Sequence, residues 1–374
     1  MTAADPVAER PALIERLPFV EGVRGLAALI VVVYHAIYPS VVFPGTLLHA
    51  DLGQALAYPF WPATEMVELF ILVSGFSLAY SEDRRRQTRP PTAARVFALR
   101  RAWRILPVFY VALAAGLVVL AIAPTRYLDG VRILQPQNIT AGGLLSHTVL
   151  LHSLVPEWQY QGNGPLWSMG VEAQLYLLFP LLFLWMRRGR TVWTALAVAL
   201  AAAVADLARR QLLPDFQGFG YLRWFALGVL IATIYRDPRV RRVPARAYAA
   251  VGLAALLVAY LNLPALAGSV PHDALWALAF AGLLIAMAQR PRARANPMGW
   301  RPLRWLGMRS YSLYALHFPM IWIVFIGLAA AGVHGSVSVP VLTLCLGLAL
   351  SLAAAELSYR WVERPSLARV RAVR

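Results

Sequence analysis

The chain has 374 residues, of which 59% are hydrophobic and only 14% are charged, and its mean hydropathy is +0.59. A soluble globular domain has roughly 45–50% apolar and about 25% charged residues, so the composition argues against a soluble enzyme and also against disorder. Cys345 is the only cysteine, which excludes a disulfide-stabilised secreted scaffold. The composition therefore predicts an all-α integral membrane protein that crosses the bilayer many times.

The formal net charge is +17, and all 35 basic residues are arginine. A soluble chain with this charge would be a candidate for binding nucleic acid. In a membrane protein the positions of the basic residues indicate which loops are cytoplasmic, because basic residues concentrate there. The positions of the arginines decide between the two interpretations.

Ten apolar stretches of near-membrane length follow one another along the chain. A helix needs about 20 residues to cross the hydrocarbon core, and lipid offers no hydrogen-bond partners to a bare backbone, so each stretch is predicted to be a transmembrane helix. The stretches are 24–43, 62–80, 105–124, 165–186, 191–208, 219–235, 247–263, 273–289, 310–330 and 339–361.

The arginines support this arrangement. When the ten stretches are threaded from an N-terminus placed inside, most arginines fall on the inner side, with clusters at 84–104, 236–246 and 290–309. The positive-inside rule then predicts that both termini are cytoplasmic, and it leaves nucleic-acid binding without support. The exceptions are Arg126, Arg132, Arg209, Arg210 and Arg223.

The predicted organisation is one membrane domain within the 1–374 chain, formed by residues 22–365 between two short cytoplasmic tails, 1–21 and 366–374. No soluble catalytic appendage is expected beside it. The longest outer segment contains an apolar piece at 142–154. That piece is too short to span the bilayer, so it is predicted to be re-entrant or interfacial.

Ionisable groups within a span are candidates for function because they are costly to place there. Arg24 and His35 are eleven residues apart in the first span. At about 100° per residue they share one helix face, with an axial separation of about 16 Å. Arg24 at the cytoplasmic edge can hold an anion, and the deeper imidazole of His35 can act as a general base. The alternative is an interfacial anchor and a hydrogen-bonded packing histidine.

Two polar residues of the second span are candidates for substrate contact. Glu68 is too deep to be explained as interfacial, which is the simpler interpretation of Glu65. Ser74 precedes Gly75, and this pair favours a close helix–helix contact, since small residues are common at such interfaces.

The basic segment before the third span contains Arg101 and Arg104, three residues apart. On a helix they face the same way, and guanidinium groups bind phosphate in a bidentate manner. The alternative is a role in topology or in contact with anionic lipid.

Glu172 lies about two turns into the fourth span, with Tyr176 four residues later. A carboxylate about 10 Å below the outer surface needs a cation or a hydrogen-bond donor. Arg223, at a similar depth in the sixth span, is the candidate partner. The alternative is a purely structural ion pair.

The ninth span contains Tyr314 and His317, which form either a polar packing cluster or part of a site. Measured from the cytoplasmic edge, His35, Ser74 and His317 fall at depths of about 12–17 Å and Glu172 near about 20 Å. Four polar groups from four helices at one level predict a buried polar chamber. The other histidines show no metal-ligand spacing, so no metal is expected.

Six segments in order resemble the acyltransferase-3 family of integral-membrane O-acyltransferases. They are EGVRGL at 21–26 with His35 after it, ELFILVSGF at 68–76, RRAWRILP at 100–107, LWSMGVEAQLY at 166–176, SYSLYALH at 310–317 and VERP at 362–365.

The resemblance implies transfer of an acyl group, mainly acetyl, from cytoplasmic acyl-CoA to a hydroxyl of a carbohydrate, a lipid-linked glycan or a secondary metabolite. It implies a bacterial inner-membrane enzyme whose partners are the bilayer, acyl-CoA and the acceptor, with no permanently bound cofactor. His35 matches the essential histidine and Arg24 the arginine paired with it. Arg101 and Arg104 match an Arg-x-x-Arg element, Glu172 matches the span-four glutamate, and Glu68 stands where the family usually has aspartate. Some members carry a C-terminal esterase-like domain, which is not expected here.

On this interpretation Arg24, Arg101 and Arg104 hold the phosphates of coenzyme A while the thioester reaches His35, which Glu172 orients or stabilises. The competing hypothesis is a transporter or flippase of a sugar-containing substrate, because ten spans with charges near the midplane also suit a transporter. The sequence shows no inverted repeat and no matched pair of broken helices, which argues against that class.

Overall fold

Apolar helices form most of the part of the chain that the structure describes. A computed structural model describes residues 17–42, 58–87, 90, 92–122, 127–128, 131–132, 139–187, 220–261, 270–290, 296–333 and 338–373. The longer helices are α1 (Pro18–Val42), α2 (Ala63–Arg86), α3 (Ala94–Ile122), α4 (Ala141–Thr148), α5 (Leu166–Arg187), α6 (Tyr221–Ile234), α7 (Pro238–Arg242), α8 (Ala245–Tyr260), α9 (Val270–Gln289), α10 (Arg301–Ala330), α11 (Ser338–Ser358) and α12 (Arg364–Ala372).

Four shorter pieces and one hairpin connect these helices. Single 3₁₀ turns cover Tyr58–Phe60, His152–Leu154 and Pro297–Gly299, and a π-helical turn, Tyr359–Glu363, joins α11 to α12. The strands β1 (Tyr127–Leu128) and β2 (Val131–Arg132) pair antiparallel, with Tyr127 opposite Arg132 and Leu128 opposite Val131.

Within the described residues seven helices are long and apolar enough to cross a membrane, which supports a helical multi-span protein. Two shorter apolar helices, Tyr221–Ile234 and Ala245–Tyr260, coincide with the predicted sixth and seventh spans. The predicted fifth span, 191–208, lies outside the described residues. Seven of the ten predicted spans therefore coincide with helices of membrane-spanning length, whereas the full count and the cytoplasmic termini stay predictions.

The helices pack in close pairs. Helix α1 packs on α10, α10 on α11, α2 on α6, and α8 on α9. The α2–α6 crossing requires glycine, because a Cβ on Gly75 would collide with the carbonyl oxygen of Phe225 and a Cβ on Gly228 with that of Leu72. Such close backbone approach is the usual role of small residues between membrane helices, as the sequence predicted for Gly75.

The C-terminal region packs against the domain. Residues 364–372, most of which were predicted to be a tail, form a helix that packs on α3. The Arg369 guanidinium lies 4.6 Å from the centre of the Trp103 ring, and Arg100 Nη2 donates to the carbonyl of Val373 at 2.9 Å. The cation–π contact and this hydrogen bond hold the segment against α3, and its cytoplasmic location stays a prediction.

The apolar piece at 142–154 forms α4 and one 3₁₀ turn, a compact structure too short to span, as predicted. Thr140 caps α4 by accepting the Gly143 N–H at 3.0 Å. The following Asn163 is buried and donates to the carbonyls of Ala112 and Ala315, each at 3.0 Å. These bonds join the start of α5 to α3 and α10.

Candidate functional site

Three arginines from two helices line one buried cavity of about 240 Å³. Arg24 comes from α1, and Arg101 and Arg104 come from α3, where their spacing of three residues places both on one face, as predicted. Tyr176 of α5 and Glu363 of the π-helical turn complete the polar wall. The structure therefore brings together the three arginines that the sequence singled out for phosphate.

Two guanidinium groups of this arginine cavity each have an unsatisfied nitrogen. The Nε atoms of Arg24 and Arg101 are buried and have no hydrogen-bond partner among the described residues. Aromatic rings orient Arg101, whose guanidinium lies 5.5 Å from the centre of the Tyr176 ring and 5.6 Å from that of Phe97. A buried cationic donor without a partner is costly, so the cavity is suited to an anionic ligand.

Glu172 is held by two hydroxyl groups. Ser74 Oγ donates to Glu172 Oε1 at 2.6 Å, and Tyr176 OH donates to the same oxygen at 2.5 Å. The Ser74 and Tyr176 hydroxyls are themselves 2.8 Å apart. Ser74 thus supplies a hydrogen bond to a carboxylate, while its neighbour Gly75 makes the close helix contact. Charge-assisted bonds of this kind fix the orientation of the carboxylate.

A narrow cavity continues from the arginine cavity toward α10. Its volume is about 30 Å³, and Arg24, Glu172, Phe70 and Tyr314 are among its lining residues. The Tyr314 hydroxyl is 2.7 Å from Ser168 Oγ. This volume is that of about one water molecule, and the contacting rings of Phe70 and Tyr314, with centres 5.6 Å apart, form part of its wall.

His35 and His317 form a contact pair beyond Tyr314. Their ring centres are 4.9 Å apart in an edge-on arrangement, and the Tyr314 ring centre is 5.7 Å from that of His317. His35 Nδ1 lies 2.8 Å from the Val31 carbonyl, and His317 Nδ1 lies 2.7 Å from the Tyr314 carbonyl. A carbonyl oxygen only accepts, so both Nδ1 atoms carry the proton, and each neutral ring has its lone pair on Nε2.

The polar groups form two layers rather than the single chamber that the depths predicted. Ser74 and Glu172 belong to the layer of the arginines, whereas the histidine pair forms a second layer reached through Tyr314. Neither histidine lines the arginine cavity or the narrow cavity. The sequence depths were too coarse because tilt and helix ends shift a side chain by a turn. Glu172 bonds to Ser74 and Tyr176, so the expectation that it touches His35 is not met.

Arg223 has different partners from the predicted Glu172. Its Nη2 is 2.9 Å from Asp273 Oδ2 and 3.8 Å from Glu68 Oε1. The pairing of α2 with α6 places Glu68 opposite Arg223, and α9 supplies Asp273. Glu68 and Arg223 therefore form a separate acidic cluster that lines neither the arginine cavity nor the narrow cavity.

Glu363 is a candidate residue that the sequence analysis quoted only as part of the VERP segment. It is 5% exposed and accepts a hydrogen bond from Ser312 Oγ at 2.7 Å. The π-helical turn carries Glu363 into the arginine cavity, and turns of this type are frequent at functional sites. A glutamate directly before an Arg-Pro pair at a helix junction was the available signal.

The class of protein follows from these features: an integral-membrane helical protein with a buried cationic site linked to a histidine pair. The chain belongs to the acyltransferase-3 family, since the family model described as "Acyltransferase domain" matches residues 17–359. It is therefore a membrane-bound acyltransferase by family, and the transporter alternative is not favoured.

Relatives agree with this assignment. The protein BcsY of Komagataeibacter xylinus is 27% identical over 360 residues, covering 93% of this chain and 82% of its own. The acyltransferase MdmB of Streptomyces mycarofaciens is 27% identical over 336 residues, covering 83% of this chain and 80% of its own. The O-acetyltransferase OatA of Staphylococcus aureus is 27% identical over 218 residues, covering 54% of this chain and 35% of its own. No solved structure matches the chain significantly.

Proposed function

We propose that this protein transfers an acyl group, chiefly acetyl, from cytoplasmic acyl-CoA to a hydroxyl of a carbohydrate, a lipid-linked glycan or a secondary metabolite. The proposal rests on the arginine cavity. There the Nε atoms of Arg24 and Arg101 are buried and have no hydrogen-bond partner among the described residues. Membership of the family supports acyl-transfer chemistry. The unsatisfied arginine nitrogens of the cavity favour a donor that carries negative charge.

Coenzyme A provides the negative charge that this cavity lacks. Its phosphates would accept from Arg24, Arg101 and Arg104, and charge-assisted bonds of guanidinium to phosphate are among the strongest in proteins. Glu363 lines the arginine cavity, and Glu172 lines the narrow cavity beside Arg24, so the two carboxylates reduce the net positive charge around the arginines. On this proposal they are positioning residues, which orient the guanidinium groups through their charge.

The thioester would reach the histidine pair through the narrow cavity. The axial distance from Arg24 to His35 is about 16 Å, which suits an elongated arm bound at one end. The 30 Å³ volume is too small for that arm, so the proposal requires Phe70 or Tyr314 to move when the donor binds.

His35 would act as the general base in a direct transfer. Nε2 of the neutral ring takes the proton of the acceptor hydroxyl while the hydroxyl oxygen forms a bond to the thioester carbonyl carbon. The C–S bond then breaks, and the imidazolium returns the proton to the departing sulfur, so coenzyme A leaves as the thiol. His317, in edge contact with His35, would position that ring and favour one protonated ring at a time.

The acceptor would approach the histidine pair from the outer side or from the membrane plane. The names of OatA and MdmB describe an O-acetyltransferase and an acyltransferase, which supports a hydroxyl acceptor. The arginine distribution supports cytoplasmic termini and an inner-membrane location in a bacterium.

The proposal is tested with the purified full chain in proteoliposomes, using acetyl-CoA labelled in the acetyl group. We expect transfer of the label to a hydroxyl acceptor or slow hydrolysis to acetate. A His35→Ala variant that keeps the elution profile and Tm of the native protein should lose both reactions. Absence of any label turnover with a panel of glycan and lipid-linked acceptors, together with acceptor counterflow, would instead support a transporter.

A further inference from the structure

A second large cavity lies beside α1, away from the helix face that carries Arg24 and His35. Its volume is about 870 Å³, and its α1 wall is formed by Val23, Leu26, Ala27 and Ile30. At about 100° per residue the first two and Ile30 point roughly 100–160° away from Arg24 and Ala27 about 60° away, whereas His35 lies within about 20° of Arg24. Neither Arg24 nor His35 lines this groove, so the groove is distinct from the proposed donor path.

The α8–α9 hairpin forms the other wall of the groove. Gly252 of α8 packs against Leu283 of α9, and Gln289 Nε2 at the end of α9 donates to the Val240 carbonyl just before α8 at 3.2 Å, so the two helices run antiparallel. The start of α8 therefore lies beside the end of α9. Arg246 and Arg290, which both line the cavity, stand at the same end of the groove.

The groove is charged at this end and apolar along its length. Neither Arg246 nor Arg290 forms an ion pair with another residue in the described part of the chain, and both are exposed. Asn296 also lines this end, and its Oδ1 accepts the Met298 N–H at 3.1 Å, which leaves its amide N–H groups as donors. The remainder of the lining is almost entirely aliphatic and aromatic.

The length of the groove matches a hydrocarbon chain. Arg246 and Tyr260 lie fourteen residues apart on α8, an axial distance of about 21 Å, which exceeds half of a hydrocarbon core of about 30 Å. The Tyr260 ring contacts that of Tyr58, with centres 6.2 Å apart, at the far end. The volume lies within the roughly 300–1,000 Å³ of ordinary ligand pockets.

We propose that this groove binds a membrane phospholipid with an anionic headgroup. Its phosphate and headgroup charge would sit on Arg246 and Arg290, and an acyl chain would lie between the hairpin and α1. Basic residues near an anionic leaflet each contribute about 1 kcal/mol to such contact. The arginine-rich side is predicted to be cytoplasmic, and the anionic headgroup would bind on that side.

The bound lipid would be structural rather than reactive. On α2 the groove is lined by Met66 and Leu69, whereas Phe70 and Ile71 line the narrow cavity on the other side. The hairpin otherwise joins the helix core chiefly through α9 and α6. A lipid in the groove would therefore bridge α8–α9 to α1. The proposal does not depend on the acyltransferase reaction.

The test uses the full chain reconstituted in vesicles of phosphatidylcholine that contain a small fraction of diazirine-bearing phosphatidylglycerol. Photolysis followed by peptide mass spectrometry locates the attached lipid. We expect attachment at the groove wall, for example at Leu253 or Leu283, and little attachment from diazirine phosphatidylcholine. In R246A/R290A the preference for phosphatidylglycerol should fall roughly 30-fold, because two contributions of about 1 kcal/mol are lost.

Matched variants make the result specific. Arg239 and Arg242 are exposed arginines of the preceding α7 that do not line the groove, so R239A/R242A should keep the preference. Ala249→Phe fills the groove and should abolish attachment, whereas Ala250→Phe, on the exposed neighbour, should not. Equal labelling by both lipids, or no effect of R246A/R290A, would overturn the proposal. Cross-links from the groove to residues 190–219 in place of lipid would overturn it as well.

Discussion

The rings of His35 and His317 contact each other edge-on, with centres 4.9 Å apart, although the two residues belong to helices at opposite ends of the chain. In each residue Nδ1 is engaged by a carbonyl oxygen of its own helix. The lone pairs therefore lie on both Nε2 atoms, and that of His317 is buried without a partner among the described residues. The two rings are equivalent in tautomer but differ in exposure, since His317 is fully buried and His35 is partly accessible.

This difference predicts separate effects for the two histidines. His35→Ala should reduce acetyl transfer by about 10²–10⁴-fold, the usual contribution of a general base. His317→Asn should lower kcat less, because it removes a positioning ring and leaves the base. The measurement is kcat for labelled transfer, with Tm as the control for folding. Equal losses in both variants would contradict the assignment of His35 as the base.

Loss of an arginine from the cavity should weaken binding of acetyl-CoA through its phosphate groups. Arg101→Ala should raise KM for acetyl-CoA by about 10–100-fold, because hydrogen bonds to charged groups are worth about 1.5–3 kcal/mol. Arg95→Ala, on an exposed position of the same helix, is the matched control and should leave KM unchanged.

A truncated donor makes this prediction sharper. S-acetyl-pantetheine has no phosphate groups, so its transfer should be equally slow in the native protein and in Arg101→Ala. A tenfold loss with both donors would mean that Arg101 supports the fold of the cavity rather than the binding of phosphate.

The sequence was sufficient for residues whose chemistry depends on one helix alone. The spacing of Arg101 and Arg104, and the shared face of Arg24 and His35, follow from helix geometry, and the two arginine groups do line one cavity. The same reasoning correctly recognised the short outer piece at 142–154 as too short to span.

The sequence was insufficient wherever a partner had to come from another helix. Arg223 and Glu172 have similar predicted depths. Because α2 packs on α6, however, Arg223 lies beside Glu68, and it also contacts Asp273 of α9. Depth gives position along the membrane normal and carries no information on position around the bundle. Glu363 was missed for a related reason, since its burial depends on a π-helical turn whose extra residue rotates the side chain inward.

The negative charge of Glu172 is expected to contribute to catalysis by positioning the groups around it. Glu172→Gln keeps the size of the side chain but removes a negative charge beside Arg24 and weakens the bonds from Ser74 and Tyr176. We expect kcat to fall by about tenfold or more, the cost of losing one charge-assisted hydrogen bond of about 1.5–3 kcal/mol. Tyr176→Phe, which removes one of the two donors, should have a smaller effect. A larger loss in Tyr176→Phe would assign the main role to the hydroxyl.

The α2–α6 crossing predicts opposite effects of the same substitution at two glycines. Gly75→Ala forces a methyl group against the backbone of α6 and should lower the free energy of unfolding by about 1–3 kcal/mol. Gly327→Ala, within α10, meets open space and should raise it by about 0.5–1 kcal/mol through helix propensity. The measurement is the denaturation midpoint in detergent. Equal shifts at both sites would contradict close packing at Gly75.

The stacked pair His147 and His152, outside the candidate spans, predicts a pH-dependent stability. Their ring centres are 3.9 Å apart, and burial, with His147 as a further cause, lowers the pKa of His152 from 6.5 to about 3. Between these values the unfolded chain binds a proton that the folded chain does not. The free energy of unfolding should therefore fall by about 1.4 kcal/mol for each pH unit below about 6.5, and this loss should end near pH 3.

His152→Gln isolates this contribution. Its amide can still donate to the Leu166 carbonyl, which His152 Nε2 contacts at 3.1 Å, but it does not titrate. Hydrogen–deuterium exchange over residues 141–165, compared at pH 7 and pH 5.5, reports the local opening. The native protein should exchange faster at pH 5.5 after correction for the intrinsic rate, and His152→Gln should show a smaller change. The same acceleration in both proteins would assign the pH dependence to another group, because the burial of His152 would then have no measurable linkage to folding.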